Sequence, residues 1–281
     1  MKTRAVLLAL AVVSSSATPP APPLPYPWLS AAPDPAQTVQ VRFPVPAGCR
    51  RVPLAAGSWG AWLRGLPLRP AGTPARLFDG RLKSPQSVVA AVVNIDIGTR
   101  DLQQCADAVM RLRAEYLFGL NANQIHFHLA AGYDARFSDF VAGRTFRVKG
   151  SEVLVAAKPA EAPTHAALMR YLWPVFDYAN SRSLTRDVYV VPVAEAQPGD
   201  VLLRGGAPGH AVLMVDAAIN ERTGQRYLLL AQSYMPAQNI HVLRNVEQPA
   251  LGAWYAVPGP DATEFDTAEY TFTVGELRRF E

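Results

Sequence analysis

From residue 188 onward the chain is a succession of short apolar segments separated by turn residues, and this limits the fold more than any other feature. Segments at 188–191, 200–203, 211–218, 227–232, 240–243 and 270–274 read as strands. Strands so closely spaced join as antiparallel neighbours, because a parallel crossover needs a dozen or more residues. The first half of the chain reads differently. Residues 58–66 carry Trp59 and Trp62 at helical spacing before Pro67. Residues 101–118 repeat Leu102, Cys105, Ala106, Val109 and Leu112 at helical spacing, with Asp101 as N-cap and Gln104 at the capping-box distance. Residues 162–179 are helical, with Pro174 expected to kink or split them. Strands are expected at 39–43, 88–97 and 125–129, and a hairpin over 145–155 turning at Lys149-Gly150. Helices first and antiparallel strands afterwards predict an α+β fold with a helix packed on a sheet.

The N-terminus is organised for export. Lys2 and Arg4 precede an unbroken apolar run from Ala5 to Val13, and Ser15-Ser16-Ala17 offers small residues for cleavage. That run is about half of the roughly 20 residues a membrane-spanning helix needs. Residues 1–17 are thus expected to be a signal peptide, and the protein periplasmic or extracellular. Residues 18–37 include Pro19-Pro20 and Pro22-Pro23 and read as an extended linker. Residues 38–281 are expected to form one globular domain. The formal charge of +4 falls to +2 when Lys2 and Arg4 leave with the signal. Its basic residues are scattered, which argues against a nucleic-acid partner.

Two cysteines, Cys49 and Cys105, invite a disulfide in an oxidising compartment. Their settings differ, however: Cys49 follows the turn-like Pro46-Ala47-Gly48, whereas Cys105 falls near the start of a helix. Free thiols are the expectation. At a helix start the dipole favours the thiolate, although Cys105 also lies on the apolar stripe and suits a buried role.

The loop Gly205-Gly206-Ala207-Pro208-Gly209 delivers His210 to the mouth of a buried strand. A histidine held on one side and accessible on the other suits a general base. The following hairpin turns within 220–225, so Gln232 comes back beside His210. In one register the two share a face, and the amide oxygen can fix the imidazole tautomer; a slip of one residue separates them.

This order of residues resembles the NlpC/P60 and CHAP branch of papain-like hydrolases: a cysteine at a helix start, Pro198-Gly199-Asp200, Gly209-His210, then a polar residue on the next strand. Those are envelope amidases and endopeptidases that cleave peptidoglycan peptides. The resemblance implies a papain-like core, with N-terminal and middle additions. It also implies Cys105 as nucleophile, His210 as base, Gln232 as third member, Asp200 as a structural turn residue, and no cofactor. Its expected partner is an envelope peptide or peptidoglycan fragment. Gln104-Cys105-Ala106-Asp107 departs from the Asp-Cys-Ser/Gly usual there. More of the chain resembles an uncharacterised bacterial family, domain of unknown function 4846. The matching blocks are Asp101-Leu102-Gln103-Gln104-Cys105-Ala106-Asp107 through Tyr116, Gly209-His210-Ala211, and Ala231-Gln232-Ser233-Tyr234-Met235-Pro236-Ala237-Gln238.

Two other readings compete. His126 and His128 share a strand face and with His241 suggest zinc, but no carboxylate or third histidine stands at a recognisable spacing, so no metal is expected. Alternatively the protein is a non-catalytic envelope glycan- or peptide-binding module. Trp59, Trp62 and Tyr234 are the substrate-binding residues expected on the enzyme reading, and with Trp254 they are the platforms on the binder reading.

Overall fold

The computed structural model describes residues 26–281; the expected signal peptide and residues 18–25 of the proline-rich segment lie outside the described residues. The chain opens with α1 (Val39–Arg42), β1 (Cys49–Arg51), α2 (Trp59–Arg64) and β2 (Val89–Val92). The long helix α3 (Cys105–Leu120) leads into an insertion made of β3 (His126–His128), β4 (Asp134–Arg136), α4 (Phe137–Val141), β5 (Arg144–Lys149), β6 (Glu152–Ala157), α5 (His165–Tyr178) and α6 (Ser181–Leu184). The rest is β: β7 (Val188–Val190), β8 (Val201–Arg204), β9 (His210–Asn220), β10 (Arg226–Gln232), β11 (His241–Leu243), β12 (Trp254–Ala256), β13 (Glu264–Asp266), β14 (Thr271–Thr273) and β15 (Leu277–Phe280).

Nine strands form the main sheet in the order β2-β11-β10-β9-β8-β15-β7, with β1 joined to β9 and β12 to β10. Every pairing in it is antiparallel. The fold is therefore α+β, as the strand spacing predicts. Its centre is β9, buried from His210 to Ala218. Side chains alternate across a sheet. Ala211, Leu213 and Val215 accordingly face α3 and its Ala108, Val109 and Leu112. Val212 and Met214, and Ala217 beyond a β-bulge that shifts the alternation, face a second cluster with Tyr255, Phe265 and Phe272. A strand covered on both sides must be apolar throughout, which is why residues 211–218 read as an almost unbroken apolar run.

Several local expectations change. Residues 39–43 form the single turn α1 rather than a strand. Thr38 caps it, its Oγ1 accepting from the Val41 amide at 3.4 Å. Only Val39 of this turn is buried, so the alternation serves no sheet. Within the described part of the expected linker, Tyr26 is buried, and its hydroxyl donates to Trp62 O at 3.0 Å. Pro174 stands inside α5 without dividing it. Residues 271–273 form a strand outside the main sheet, pairing only with β13. Among the described residues no helix is long and apolar enough to cross a membrane.

The early elements are tied to the sheet by one charge. Asp216, fully buried on β9, accepts from Arg51 Nε at 2.7 Å and Arg64 Nε at 2.6 Å. These guanidiniums come from β1 and α2, so a single carboxylate joins three elements. Removing it leaves two largely buried cations facing each other. Asp216→Ala should therefore destabilise the fold by about 3–5 kcal/mol. Urea unfolding checks this, and a loss below about 1 kcal/mol would show that the arginines find other partners.

Candidate active site

Helix α3 starts later than its sequence pattern suggests. Asp101 is not the cap: its Oδ1 accepts from Gln104 Nε2 at 3.0 Å and from the Ala237 amide at 2.6 Å. Gln104 takes the N-cap position, and its amide donates to Asp107 Oδ2 at 3.0 Å. Cys105 thereby becomes the first residue of α3, where backbone N–H groups lack helical partners. The backbone amides of Ala211, Ala106 and Cys105 itself each favour its thiolate. Both cysteines are free thiols.

His210 is the first residue of β9, next to Ala211, whose backbone amide favours the Cys105 thiolate. Cys105 and His210 line one cleft of about 510 Å³, with Tyr234 and Tyr270 on its walls. The loop before His210 passes very close to α6. A Cβ on Gly209 would lie 2.2 Å from Ser181 Oγ and 2.5 Å from Gly206 O, so only glycine fits.

The hairpin register is the one that unites the site. Leu230 lies opposite Met214 and Ala231 opposite Leu213, which sets Gln232 diagonal to His210 on one face. His210 Nε2 lies 2.8 Å from Gln232 Oε1. Gln232 Nε2 in turn donates to Glu269 Oε2 at 2.7 Å. A carboxylate only accepts, so the amide nitrogen must face Glu269 and the amide oxygen must face the imidazole. His210 therefore carries its proton on Nε2 and donates it to Gln232, leaving the Nδ1 lone pair free. Lys83 Nζ donates to Glu269 Oε1 at 2.7 Å and is itself buried. Burial pushes Glu269 up, but His241 and Lys83 pull it down and prevail.

Burial dominates the titration of the pair. It pushes the Cys105 thiol up to about 11, Asp107 adding to the rise and the surrounding amides opposing it. Burial also holds Asp107 well above the usual carboxylate range, against the Gln104 and Asp107 backbone amides. His210 is lowered to about 4 by burial, against the pull of Gln232 and Glu269. The helix dipole, expected from sequence to favour a thiolate, is outweighed by desolvation. At neutral pH the resting site holds a neutral thiol beside a neutral imidazole.

Tyr234 reaches the site, its ring 4.6 Å from that of His210. Trp59 and Trp62 do not. They stack on each other at 5.3 Å and meet Tyr116, eleven residues along α3 from Cys105, or about 16 Å at the helical rise. Trp254 is buried, its Nε1 donating to Pro44 O at 2.8 Å. Asp200 is structural, as its turn suggests: buried, it accepts from Arg279 Nε at 2.7 Å. His241 is buried too, with Nε2 3.9 Å from Glu269, and so stands apart from His126 and His128. Glu269, Lys83 and Tyr270 escaped sequence reasoning because only tertiary contacts join them to His210.

The fold and site define an α+β protein with a Cys–His–Gln cluster where a helix start meets a strand start. Residues 39–279 match the family model described as domain of unknown function (4846), and the chain belongs to that family. No curated protein and no solved structure matches it.

The buried imidazole makes stability depend on pH. An unfolded histidine titrates near 6.5 and His210 near 4. Such a depressed group stabilises the fold above the unfolded value, and this is lost as pH falls from 6.5 towards 4. The contribution is on the order of 3 kcal/mol. Urea unfolding of the wild type should weaken across this window, and His210→Gln should flatten that part of the slope. An identical slope in the variant would contradict the assignment.

Proposed function

We propose that this protein is an exported papain-like thiol hydrolase, an amidase or endopeptidase acting on peptide or amide bonds of the cell envelope. The observation that carries the reading is the meeting of Cys105 and His210 in one cleft, with Gln232 holding the imidazole in the Nε2–H tautomer. Export rests on the N-terminal sequence. The substrate class rests on the resemblance to NlpC/P60 and CHAP hydrolases.

In this reading His210 Nδ1 takes the Cys105 thiol proton as the sulfur attacks the substrate carbonyl. The oxyanion forms beside the backbone amides of the first turn of α3, where preorganised donors stabilise it. His210 then gives the proton to the leaving amine, and a thioester remains. Water, deprotonated by the same nitrogen, hydrolyses it and restores the thiol. The neutral resting pair means that proton transfer accompanies attack instead of preceding it. Substrate binding, by excluding water and aligning the groups, is where the activation must come from.

The elevated thiol pKa favours a second reading, a binding module whose Cys105 is inert. Reaction with iodoacetamide in a Cys49→Ser background separates the two. A catalytic pair should label at neutral pH in a manner that needs the base, with His210→Ala slowing it at least tenfold. An inert thiol should label only as pH approaches 11 and ignore that substitution. For the hydrolase itself, peptidoglycan peptides followed by mass spectrometry should show a cleaved amide bond. Cys105→Ala should abolish the cleavage while its circular dichroism matches the wild type. Undiminished cleavage by that variant would rule out Cys105 as nucleophile.

A further inference from the structure

A second cluster of reactive side chains lies in the insertion, lined by none of the residues that wall the Cys105 cleft. His126 and His128 project from the same face of β3, their rings 6.2 Å apart. Asp187, between α6 and β7, closes the group. Its Oδ1 accepts from His128 Nδ1 at 2.6 Å, and its Oδ2 from the His128 amide at 3.1 Å. One donor atom from each of His126, His128 and Asp187 lies within 4.8 Å of the other two. The carboxylate that the local sequence lacks is thus supplied from 59 residues away.

We propose that His126, His128 and Asp187 bind a divalent transition-metal ion of the zinc class. Two imidazoles and one carboxylate form a donor set suited to zinc, with a fourth position left open. Nitrogen donors also discriminate against magnesium and calcium, which take oxygen ligands. The surroundings support the ligands. Asp134 Oδ1 accepts from His126 Nδ1 at 2.8 Å, which fixes the ring and leaves Nε2 with its lone pair. Asp187 is nearly inaccessible, its side chain 3% exposed, whereas His126 is 36% exposed and offers a way in. A cleft of about 450 Å³ opens onto His126 and Asp187. The ion takes the place of the proton that His128 and Asp187 share. Arg136, the cation on the neighbouring strand, is engaged by Asp134 Oδ2 at 2.5 Å.

The test uses the full chain carrying Cys49→Ser and Cys105→Ala, which removes both thiol donors, after dialysis against chelator. Isothermal titration with Zn²⁺ should give one ion per chain, and Mg²⁺ none. Co²⁺ should bind in its place with visible absorption typical of low coordination number. His126→Ala and Asp187→Asn should each weaken Zn²⁺ binding at least tenfold, and Asp134→Asn by about tenfold. No binding of Zn²⁺ to the parent, or equal binding by His126→Ala, would overturn the proposal. His126 is on the surface side of the hairpin, so that variant is decisive if Asp187→Asn fails to fold.

Discussion

The site depends on how the start of α3 is fastened to the end of β10. Ser233 Oγ, just past Gln232, shares its one proton between Gln238 O at 2.8 Å and Gln103 O at 3.1 Å, and the Ala237 amide donates to Asp101 Oδ1 at 2.6 Å. The bonds to Gln103 and Asp101 fall within four residues of Cys105, on the turn that leads into the helix. A helix N-terminus carries amides that must find acceptors or face a ligand. Here the preceding turn is held by the strand that also carries Gln232, so the helix amides and the imidazole are positioned by one stretch of backbone. Hydrophobic contact between α3 and β9 is non-directional. These polar bonds are directional, and they fix the position of the helix along its axis.

Behind the imidazole the polar groups alternate in a way that admits one arrangement. Lys83 donates to Glu269, Gln232 donates to Glu269, and His210 donates to Gln232. An uncharged amide is the suitable middle member. It passes orientation from a carboxylate to an imidazole without placing a second negative charge beside Glu269. A carboxylate at 232 would repel Glu269 and, if it prevailed, would raise the imidazole and charge it. The charge in the network sits one residue further back, where Lys83 balances it. The cleft itself stays neutral at rest, consistent with a thiol pushed up and an imidazole pushed down by the same desolvation.

What the sequence revealed follows from the range of the forces involved. Strands β7 to β11, β14 and the body of α3 were legible because burial writes a period into the chain, whereas β12, β13 and β15, three or four residues each, were not. The hairpin of β5 and β6 was legible from its turn at Lys149-Gly150. The α1 turn was not, since four residues with one buried side chain carry no period. His210 and Gln232 could be paired because a hairpin converts sequence distance into register. Glu269, Lys83 and Asp187 could not, because nothing local records that distant segments will meet. Trp59 and Trp62 were visible as a helical pair, but a spacing does not say which neighbour the face meets, and they met Tyr116.

The insertion between α3 and β7 ties the two clusters together through α6. At its start, Asn180 caps the helix through Ser183, and Ser181 Oγ accepts from the Gly206 amide at 3.4 Å in the loop before His210. Three residues past its end, Asp187 holds His128. One short helix therefore supports the wall of the Cys105 cleft at one end and completes the His126–His128 group at the other. Gly209 has no freedom to accommodate a shift of Ser181, since their closest approach already excludes a side chain. A displacement at Asp187 is thus resisted at the glycine loop as well as at β3. Burial of Ser181, Ser183 and Leu184, all but one residue of α6, is what holds so short an element in place.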